Sequence, residues 1–264
     1  LDSYMVFLKE QIRELCTQYG EIHGMWWDMN VTGRVDRSIN EMIRSLQPKA
    51  VISNRGLDDG DFSTPEREYD KSVDEVLAFE KPTQAIQSVG RESWGYKKDE
   101  DYYTDRHLIR QIDNILAKGG TYVLCSSSKP DGTIVEEDTR ILRTIGNWYH
   151  TVKEALEDVE PASHLTDNRD VLLTKRGNNL YVHLTKEPVL RRVLLKPIDT
   201  LPRKATLLNT GEEVEVRVDL IPTEAMDRSE GRRVIPPKNY LRIRNLPVNE
   251  LNNTVLVVKL EFDD

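Results

Sequence analysis

The feature that most constrains the fold is a single change in the pattern of apolar residues near residue 157. Before it, helical faces with an apolar residue every three or four positions alternate with short, uninterrupted apolar runs. After it, short β-rich runs follow one another, separated by Gly, Asn and Pro turns. Helix–strand alternation indicates a parallel α/β unit, whereas evenly spaced short strands indicate a sandwich. The sequence therefore predicts two domains, residues 1–157 and residues 158–264.

The first of these parts alternates predicted helices with predicted strands. Helical faces cover residues 1–15, 35–46, 107–118 and 136–150, and strand runs cover residues 21–27, 50–54, 75–80 and 121–125. A complete (β/α)8 TIM-like barrel needs eight strands in about 250 residues, and only four strands fit here. The prediction is therefore a partial barrel, with a long loop around Trp94 between the third strand and the next helix.

The second part contains seven short runs that predict strands. They cover residues 171–174, 180–184, 193–195, 205–208, 214–218, 240–243 and 255–260. Their number and spacing are typical of an antiparallel β-sandwich. The predicted fold class is therefore α/β, a partial (β/α) barrel followed by an antiparallel β-sandwich.

Charged residues follow the first two strands. Asp28 stands where an apolar run stops, and Arg55 stands where the next one stops. Barrel active sites are built at such strand ends, so Asp28 is a candidate catalytic acid and Arg55 a candidate contact for a sugar hydroxyl or a carboxylate. Two alternatives stay open from the residues alone. Asp28 or Thr32 could cap the following helix, and Arg55 could pair with an acid of residues 58–61.

The polar turn after Arg55 carries a second candidate carboxylate, Glu66. A loop acid is usually only solvated, but two carboxylates flanking one bond are what glycoside hydrolysis requires. Trp26, Trp94 and Tyr96 fit a sugar site because aromatic rings pack on the apolar faces of a pyranose. The alternative for these aromatic residues is packing in the core.

Composition and spacing argue against several other functions. The net charge of −8 argues against nucleic acid as a partner, and no apolar run approaches the ~20 residues that span a bilayer. Histidine and cysteine spacing predicts no metal site, and residues 58–61 lack the alternation of a calcium loop. Cys16 and Cys125 fall in a predicted helix and strand, which favours buried free thiols over a disulfide. No phosphate loop or dinucleotide fingerprint is present.

An ordered set of short motifs resembles the carboxy-terminal part of the α-L-fucosidases of glycoside hydrolase family 29. No single motif is specific, but the order is, and it covers nearly the whole chain. The main matches are Trp26-Trp27-Asp28, Leu46-Gln47-Pro48, Asn54-Arg55-Gly56, Gly60-Asp61-Phe62-Ser63-Thr64-Pro65-Glu66, Ser93-Trp94-Gly95-Tyr96, Lys118-Gly119-Gly120, Pro130-Asp131-Gly132, Ile145-Gly146-Asn147-Trp148 and, in the second part, Thr174-Lys175-Arg176-Gly177-Asn178-Asn179.

The resemblance implies the second half of a barrel plus a β-sandwich, and a retaining hydrolase that releases terminal α-L-fucose from a fucosylated oligosaccharide or glycoconjugate. It implies that Asp28 is the nucleophile and that Glu66 is the general acid/base. It also implies that Arg55, Trp26 and Trp94 contact the sugar. No metal or cofactor is expected, and neither nucleic acid nor a membrane is an expected partner.

Departures from the family pattern keep other functions open. The amino-terminal half, which carries the family's sugar-binding histidines, has no counterpart in this sequence, so the chain alone is expected to lack full activity. Residues 121–128 also differ from the usual motif after Gly120. The alternatives are a non-catalytic carbohydrate-binding or structural protein on the same scaffold, and a retaining hydrolase for another sugar. The family suggests a secreted, periplasmic or lysosomal setting, but the residues specify neither compartment nor oligomeric state.

Overall fold

The computed structural model of this protein describes residues 1–29, 33–67, 71–220 and 238–263. Its helices are α1 (Asp2–Gln18), α2 (Arg37–Leu46), α3 (Lys71–Asp74), α4 (Asp105–Ala117) and α5 (Glu136–Val152). The strands of the first part are β1 (Gly24–Met25), β2 (Val51–Ile52), β3 (Gln84–Ser88) and β4 (Thr121–Cys125). Within the described ranges, no helix is both long enough and apolar enough to cross a membrane.

The strands of the first part run parallel to one another. β1 pairs with β2 and β3 pairs with β4, both in parallel register. Isolated parallel bridges join Ser53 to Phe62, Ser63 to Thr83 and Glu66 to Ile86. These bridges carry the parallel arrangement from β2 across residues 62–66 to β3. The first part is therefore a parallel α/β unit, as the alternating pattern predicts.

The third strand of this unit is not where the sequence predicts it. Residues 75–80 form bends rather than a strand, and the strand is β3, nine residues further on when counted from Glu75 to Gln84. Phe79 in the predicted run packs against Val73, Ala85 and Ile115. The apolar character of this residue therefore reflects packing in the core and not pairing in a strand. In contrast, β3 buries the polar side chains of its last two residues, so its sequence looks unlike a core strand.

The helical faces of the first two helices are confirmed only in part. In α1 the buried residues are Met5, Ile12 and Cys16, whereas Leu1 and Leu15 are exposed. In α2 the residues Ile39 and Ile43 are fully buried, and they share a cluster with the buried side of α1. Burying each such aliphatic side chain contributes about 1.5–3 kcal/mol. This cluster fixes both helices on one side of the β1–β2 pair.

The second part consists of two antiparallel sheets around one core. Its strands are β5 (Glu160–Pro161), β6 (Leu172–Arg176), β7 (Asn179–His183), β8 (Val193–Leu195), β9 (Lys204–Leu207), β10 (Glu212–Glu213), β11 (Glu215–Leu220), β12 (Asn239–Arg244) and β13 (Val257–Glu261). The sheets have the orders β10-β9-β13-β7-β6-β5 and β11-β12-β8. All seven predicted strands are confirmed, and the two-residue strands β5 and β10 are additional. Leu173 and Val258 of one sheet share a core cluster with Leu195 and Leu241 of the other, which makes a sandwich.

The helices and the sandwich also share a core. Trp148 of α5 is buried, and its indole N–H donates to the Val255 carbonyl at 3.2 Å. Tyr181 and Val257 from the sandwich belong to the same buried cluster as Trp148. The outer face of the large sheet is therefore covered by α4 and α5. The division at residue 157 stays a prediction about where one domain ends.

Candidate active site

The guanidinium of Arg55 is the centre of the candidate site. It lies three residues after β2, and its Nε donates to Thr64 Oγ1 at 2.6 Å while Nη2 donates to the Thr64 carbonyl at 2.5 Å. Asn54 Oδ1 in turn accepts from the backbone N–H of Thr64 at 3.2 Å. Thr64 is buried. The side chain of Arg55 is therefore held in one orientation by the turn that leads to Glu66.

Two carboxylates face the remaining nitrogen of this guanidinium. Glu66 Oε1 lies 2.5 Å from Arg55 Nη1, and Asp28 Oδ1 lies 3.9 Å from the same atom. Arg55 is 18% exposed, whereas the side chains of Glu66 and Asp28 are 37% and 81% exposed. The structure thus brings the two predicted catalytic acids and the predicted sugar-binding arginine to one point at the edge of the parallel strands.

The structural alternatives for Asp28 and Arg55 are not realised in the described residues. The cap of α2 is Asp36, whose side chain accepts from the Ser38 backbone N–H, and Thr32 lies outside the described ranges. The acids of residues 58–61 pair with bases other than Arg55. These contacts are Asp58 with Arg37, Asp59 with Lys81, and Asp61 with Arg44.

Glu66 is held by the sheet and not by a free loop. It forms a parallel bridge with Ile86 of β3, and the next residue, Arg67, donates its backbone N–H to the Ile86 carbonyl at 2.9 Å. Its position is therefore set by the β3 backbone on one side and by Arg55 on the other.

The two predicted aromatic residues each carry an arginine on the ring. The guanidinium carbon of Arg55 lies 4.9 Å from the Trp26 ring centroid, and that of Arg67 lies 4.2 Å from the Trp94 ring centroid. The Trp26 indole N–H also donates to Gln84 Oε1 at 3.3 Å. Each ring is 40% exposed. Trp26 therefore lies directly at the Arg55 cluster, and Trp94 is connected to it through the residue after Glu66.

Arg67 is a residue of this edge that sequence reasoning missed. Its backbone has a φ of 49°, in the left-handed region that residues with a Cβ rarely adopt. The guanidinium donates to the Arg91 carbonyl while stacking on Trp94. These contacts join the turn of Glu66 to the long loop of Trp94. The only feature of the sequence that points to Arg67 is its position directly after Glu66.

Cys125 is a second missed residue at the same edge. It is the last residue of β4, and burial raises the pKa of its thiol. The charge of Arg67 opposes that rise in pKa, and the charge of Glu66 adds to it. The thiol therefore lies within electrostatic reach of the Glu66 carboxylate. Its position at the end of the fourth strand is the feature that could have identified it.

The described residues offer no evident place for a metal ion. Among them, no group of three or more His, Cys, Asp or Glu side chains is arranged to hold one. Both cysteines are free, with Cys16 buried and Cys125 partly buried. The Arg55 cluster itself combines two carboxylates, a fixed cation and an aromatic face.

Comparison with known proteins gives a consistent set of relatives. The family model described as alpha-L-fucosidase matches residues 2–154. The tissue alpha-L-fucosidase of Bos taurus is 27% identical over 132 residues, which are 48% of this chain and 28% of that protein. The chain thus matches less than a third of the length of that curated relative.

Solved structures share the fold over nearly the whole chain. Alpha-L-fucosidase isoenzyme 1 from Paenibacillus thiaminolyticus has a TM-score of 0.72 at 24% identity, covering 100% of this chain and 63% of its own. An alpha-L-fucosidase of glycoside hydrolase family 29 from Bacteroides thetaiotaomicron was trapped as a covalent intermediate with 2-fluoro-fucosyl fluoride. Its TM-score is 0.67 at 20% identity, and the match covers 98% of this chain and 61% of that chain. Since the family model matches more than half of the residues, this chain belongs to the α-L-fucosidase family.

Proposed function

We propose that the protein carrying this chain is a retaining glycoside hydrolase that releases terminal α-L-fucose from glycoconjugates. Membership of the family and the names of the relatives support this reaction class. The observation that carries the proposal is the shared guanidinium, since Arg55 Nη1 lies 3.9 Å from Asp28 and 2.5 Å from Glu66. Two acids from separate segments converge on one fixed cation.

The contacts of both acids with one nitrogen are compatible with retention of configuration. Because both carboxylate oxygens are measured from the same Arg55 nitrogen, their separation cannot exceed the sum of 3.9 Å and 2.5 Å. Retaining glycosidases place their carboxyl groups roughly 5–5.5 Å apart, whereas inverting enzymes need about 6.5–9.5 Å to admit a water molecule. The trapped covalent intermediate of the Bacteroides thetaiotaomicron relative is also consistent with retention.

In the proposed mechanism Asp28 attacks the anomeric carbon and forms a covalent glycosyl ester. The bond to the aglycone oxygen breaks as Glu66 donates its proton to that oxygen. Glu66 then takes a proton from water, the water oxygen attacks the same carbon, and the ester bond to Asp28 breaks. Arg55 contacts the sugar through Nη1, the guanidinium nitrogen that does not bind Thr64, and Trp26 and Trp94 pack against the apolar surface of the ring.

We further propose that residues 1–157 are the second half of a (β/α)8 barrel and that residues 158–264 form the sandwich domain. The four parallel strands β1 to β4, with helices between them, support the assignment of residues 1–157. The surface of α1 also supports it, because Val6 and Phe7 are 64% and 58% exposed. A further barrel segment packed there would cover them and would provide the wall facing Asp28.

The test is turnover of 4-nitrophenyl α-L-fucoside by the natural full-length protein. We expect Asp28→Asn to lower kcat by about 10³-fold or more, because nucleophilic catalysis is removed. The smaller variant Asp28→Gly should regain turnover with azide, whereas an Arg55→Ala variant should not. The matched control is Asp59→Asn, whose side chain is 94% exposed, and its kcat should stay unchanged.

Several outcomes would contradict this proposal. Full activity of Asp28→Asn would exclude Asp28 as the nucleophile. Binding of fucose without turnover by the unaltered protein would favour a non-catalytic carbohydrate-binding function. Hydrolysis of a different nitrophenyl glycoside in place of the fucoside would assign the same mechanism to another sugar.

A further inference from the structure

A large cleft lies away from the Arg55 cluster, between α4 and the edge of the sandwich. Its volume is about 750 Å³, and it is lined by α4, by residues 74–77 and 185–186, and by Arg169, Val171 and Leu172. A second cavity of about 500 Å³ adjoins it and shares Arg110 and Lys186. Small-molecule sites commonly have volumes of about 300–1,000 Å³. We name the first cavity the α4 cleft.

One polar face of α4 lines this cleft. His107, Arg110, Gln111 and Asn114 are spaced at three- and four-residue intervals and all border it. The opposite side of α4 is buried in the core, through Leu108, Ile109, Ile112, Asp113 and Ile115. Packing of that buried side fixes the polar face towards the cleft. The cleft wall is therefore a rigid helix and not a loop.

The cleft carries more positive charge than its own acids neutralise. Arg106 and Arg110 are 28% and 33% exposed, and both pair with the single carboxylate of Glu187, which is itself 64% exposed. Burial lowers the pKa of Arg110, and the nearby charge of Arg106 lowers this pKa further. Two half-buried guanidinium groups thus share one solvated acid. A ligand with an acidic group would supply the missing negative charge.

Unused hydrogen-bonding atoms lie in the same wall. Arg106 Nε and Gln111 Oε1 are buried and have no partner among the described residues. A buried polar atom without a partner costs about 1–3 kcal/mol. Both side chains belong to residues that line the cleft, so this wall is not satisfied by contacts within the described residues alone.

The acids of the cleft distinguish between classes of anion. Asp74 and Glu75 also line the cleft, as do the hydroxyl-bearing Thr104 and Thr185. Carboxylates accept hydrogen bonds from sugar hydroxyls but repel further phosphates. A polyphosphate or a nucleic acid strand would therefore meet repulsion along its length, whereas a molecule with one acidic group and several hydroxyls would not.

We propose that the α4 cleft binds an acidic sugar of an oligosaccharide, with Arg106 and Arg110 holding its sulfate or carboxylate group. The bidentate geometry of guanidinium suits both groups. The neutral hydroxyls of the sugar face Asp74, Glu75 and Asn114. This site would let the protein hold an acidic glycan at a point separate from the Arg55 cluster.

The test measures binding of four probes to the natural full-length protein by titration calorimetry. The probes are galactose 6-sulfate, galacturonic acid, galactose and sodium sulfate. We expect the two acidic sugars to bind at millimolar or lower concentration, with galactose and sulfate each much weaker. Arg110→Gln and Arg106→Gln should each weaken binding of the acidic sugars about ten-fold, because one charge-assisted contact is lost.

The matched control is Arg143→Gln, which removes the same charge from an exposed position of α5. It should leave the affinity for the acidic sugars unchanged, and thermal melting of all three variants checks that they fold. Having two cleft variants keeps the test decisive if one of them is unstable. Asp28→Asn should bind the acidic sugars normally, so this result is independent of fucoside turnover.

Four results would overturn the proposal. Equal binding of galactose and galactose 6-sulfate would exclude recognition of the acidic group. Sulfate binding as tight as that of galactose 6-sulfate would reduce the cleft to a simple anion site. Absence of binding by both acidic sugars, or equal weakening by Arg143→Gln, would remove the assignment altogether.

Discussion

Lys118 is a buried amine at the end of α4. It is 1% exposed, and its Nζ donates to the carbonyl groups of Val73 and Asp74 at 2.7 and 3.0 Å. Next to it, Gly119 has a φ of 83°, and a Cβ on Gly120 would lie 2.8 Å from Ile115. The Lys-Gly-Gly motif, which the sequence shows only as a helix stop, therefore ties the end of α4 to the end of α3.

Burial gives Lys118 a pH-dependent effect on stability. Desolvation lowers its pKa from 10.5 to about 8, against an opposing contribution from Asp74. Between these values the unfolded chain binds more protons than the folded one, so the free energy of unfolding rises with pH. We expect the unaltered protein to gain on the order of 3 kcal/mol relative to Lys118→Met from pH 8 to pH 10.5. Chemical denaturation at several pH values measures this difference.

A difference between protein and variant that stays constant over this pH range would mean that Lys118 does not titrate with a lowered pKa. Lys49→Met is a matched control, since its side chain is 83% exposed. The difference in stability between the protein and this control should not change with pH.

Two residues of the candidate site could be predicted from their place shortly after a strand. Asp28 and Arg55 stand out because an apolar run stops at each of them, and the structure brings both to one edge. Arg67 was not predictable, because no local pattern marks an arginine that adopts a left-handed φ and stacks on a distant tryptophan. The contact of Glu66 with Arg55 likewise depends on how residues 62–66 cross towards β3.

Among the secondary-structure elements, too, some could be predicted from the sequence and others could not. Short β-rich runs between turns predict the longer strands of the sandwich. In the central strand β7 both faces are buried, because α4 and α5 cover the side that does not face the other sheet. β3 was missed because only Ala85 and Ile86 are apolar, while Gln87 and Ser88 are buried polar residues. The Gln87 side chain accepts from the Ser88 backbone N–H at 2.9 Å. A polar side chain whose hydrogen bonds are satisfied locally can be buried, and its hydropathy then does not reveal the burial.

A buried polar cluster joins α4 to the large sheet. His183 Nδ1 lies 2.8 Å from Asp113 Oδ1, and His183 Nε2 lies 3.0 Å from Thr174 Oγ1. The Thr174 hydroxyl donates its one hydrogen to the Ala155 carbonyl at 2.7 Å, so it accepts from Nε2–H. All three side chains are fully buried. The order Thr–His–Asp resembles a catalytic triad, but no solvent reaches it, and its effect is structural.

Removing the acid from this cluster should destabilise the protein strongly. Asp113→Ala leaves the His183 donor without its partner in a buried position, and breaking a buried pair costs about 3–5 kcal/mol. Denaturant unfolding measures the loss. Asp263→Ala is a control near the chain end, with a side chain 82% exposed, and should change stability by no more than about 0.5 kcal/mol. Similar losses in both variants would show that the cluster does not join α4 to the sheet.

At the scale of the whole molecule, charge and packing have different distributions. The chain carries a net charge of −8, yet the α4 cleft is lined by Arg106, Arg110 and Arg169. The net charge therefore argues against nucleic acid as a partner, but it does not describe a local site. The buried apolar residues do not separate at the change of pattern near residue 157, because one buried cluster contains residues of α4, α5 and the sandwich. The change of pattern near residue 157 marks a change of architecture within a continuous core.

This shared core predicts that the helices and the sandwich unfold together. Trp148 of α5 packs in one cluster with Tyr181 and Val257 of the sandwich and donates to the Val255 carbonyl. Trp148→Ala should cost about 3–5 kcal/mol and should lower the melting temperature of a single calorimetric transition that includes the sandwich. Leu201→Ala is a control, because that side chain is 57% exposed. If Trp148→Ala instead moved one of two transitions and left the other in place, residues 158–264 would be an independently folding domain, and the packing of Tyr181 against α5 would contribute little to its stability.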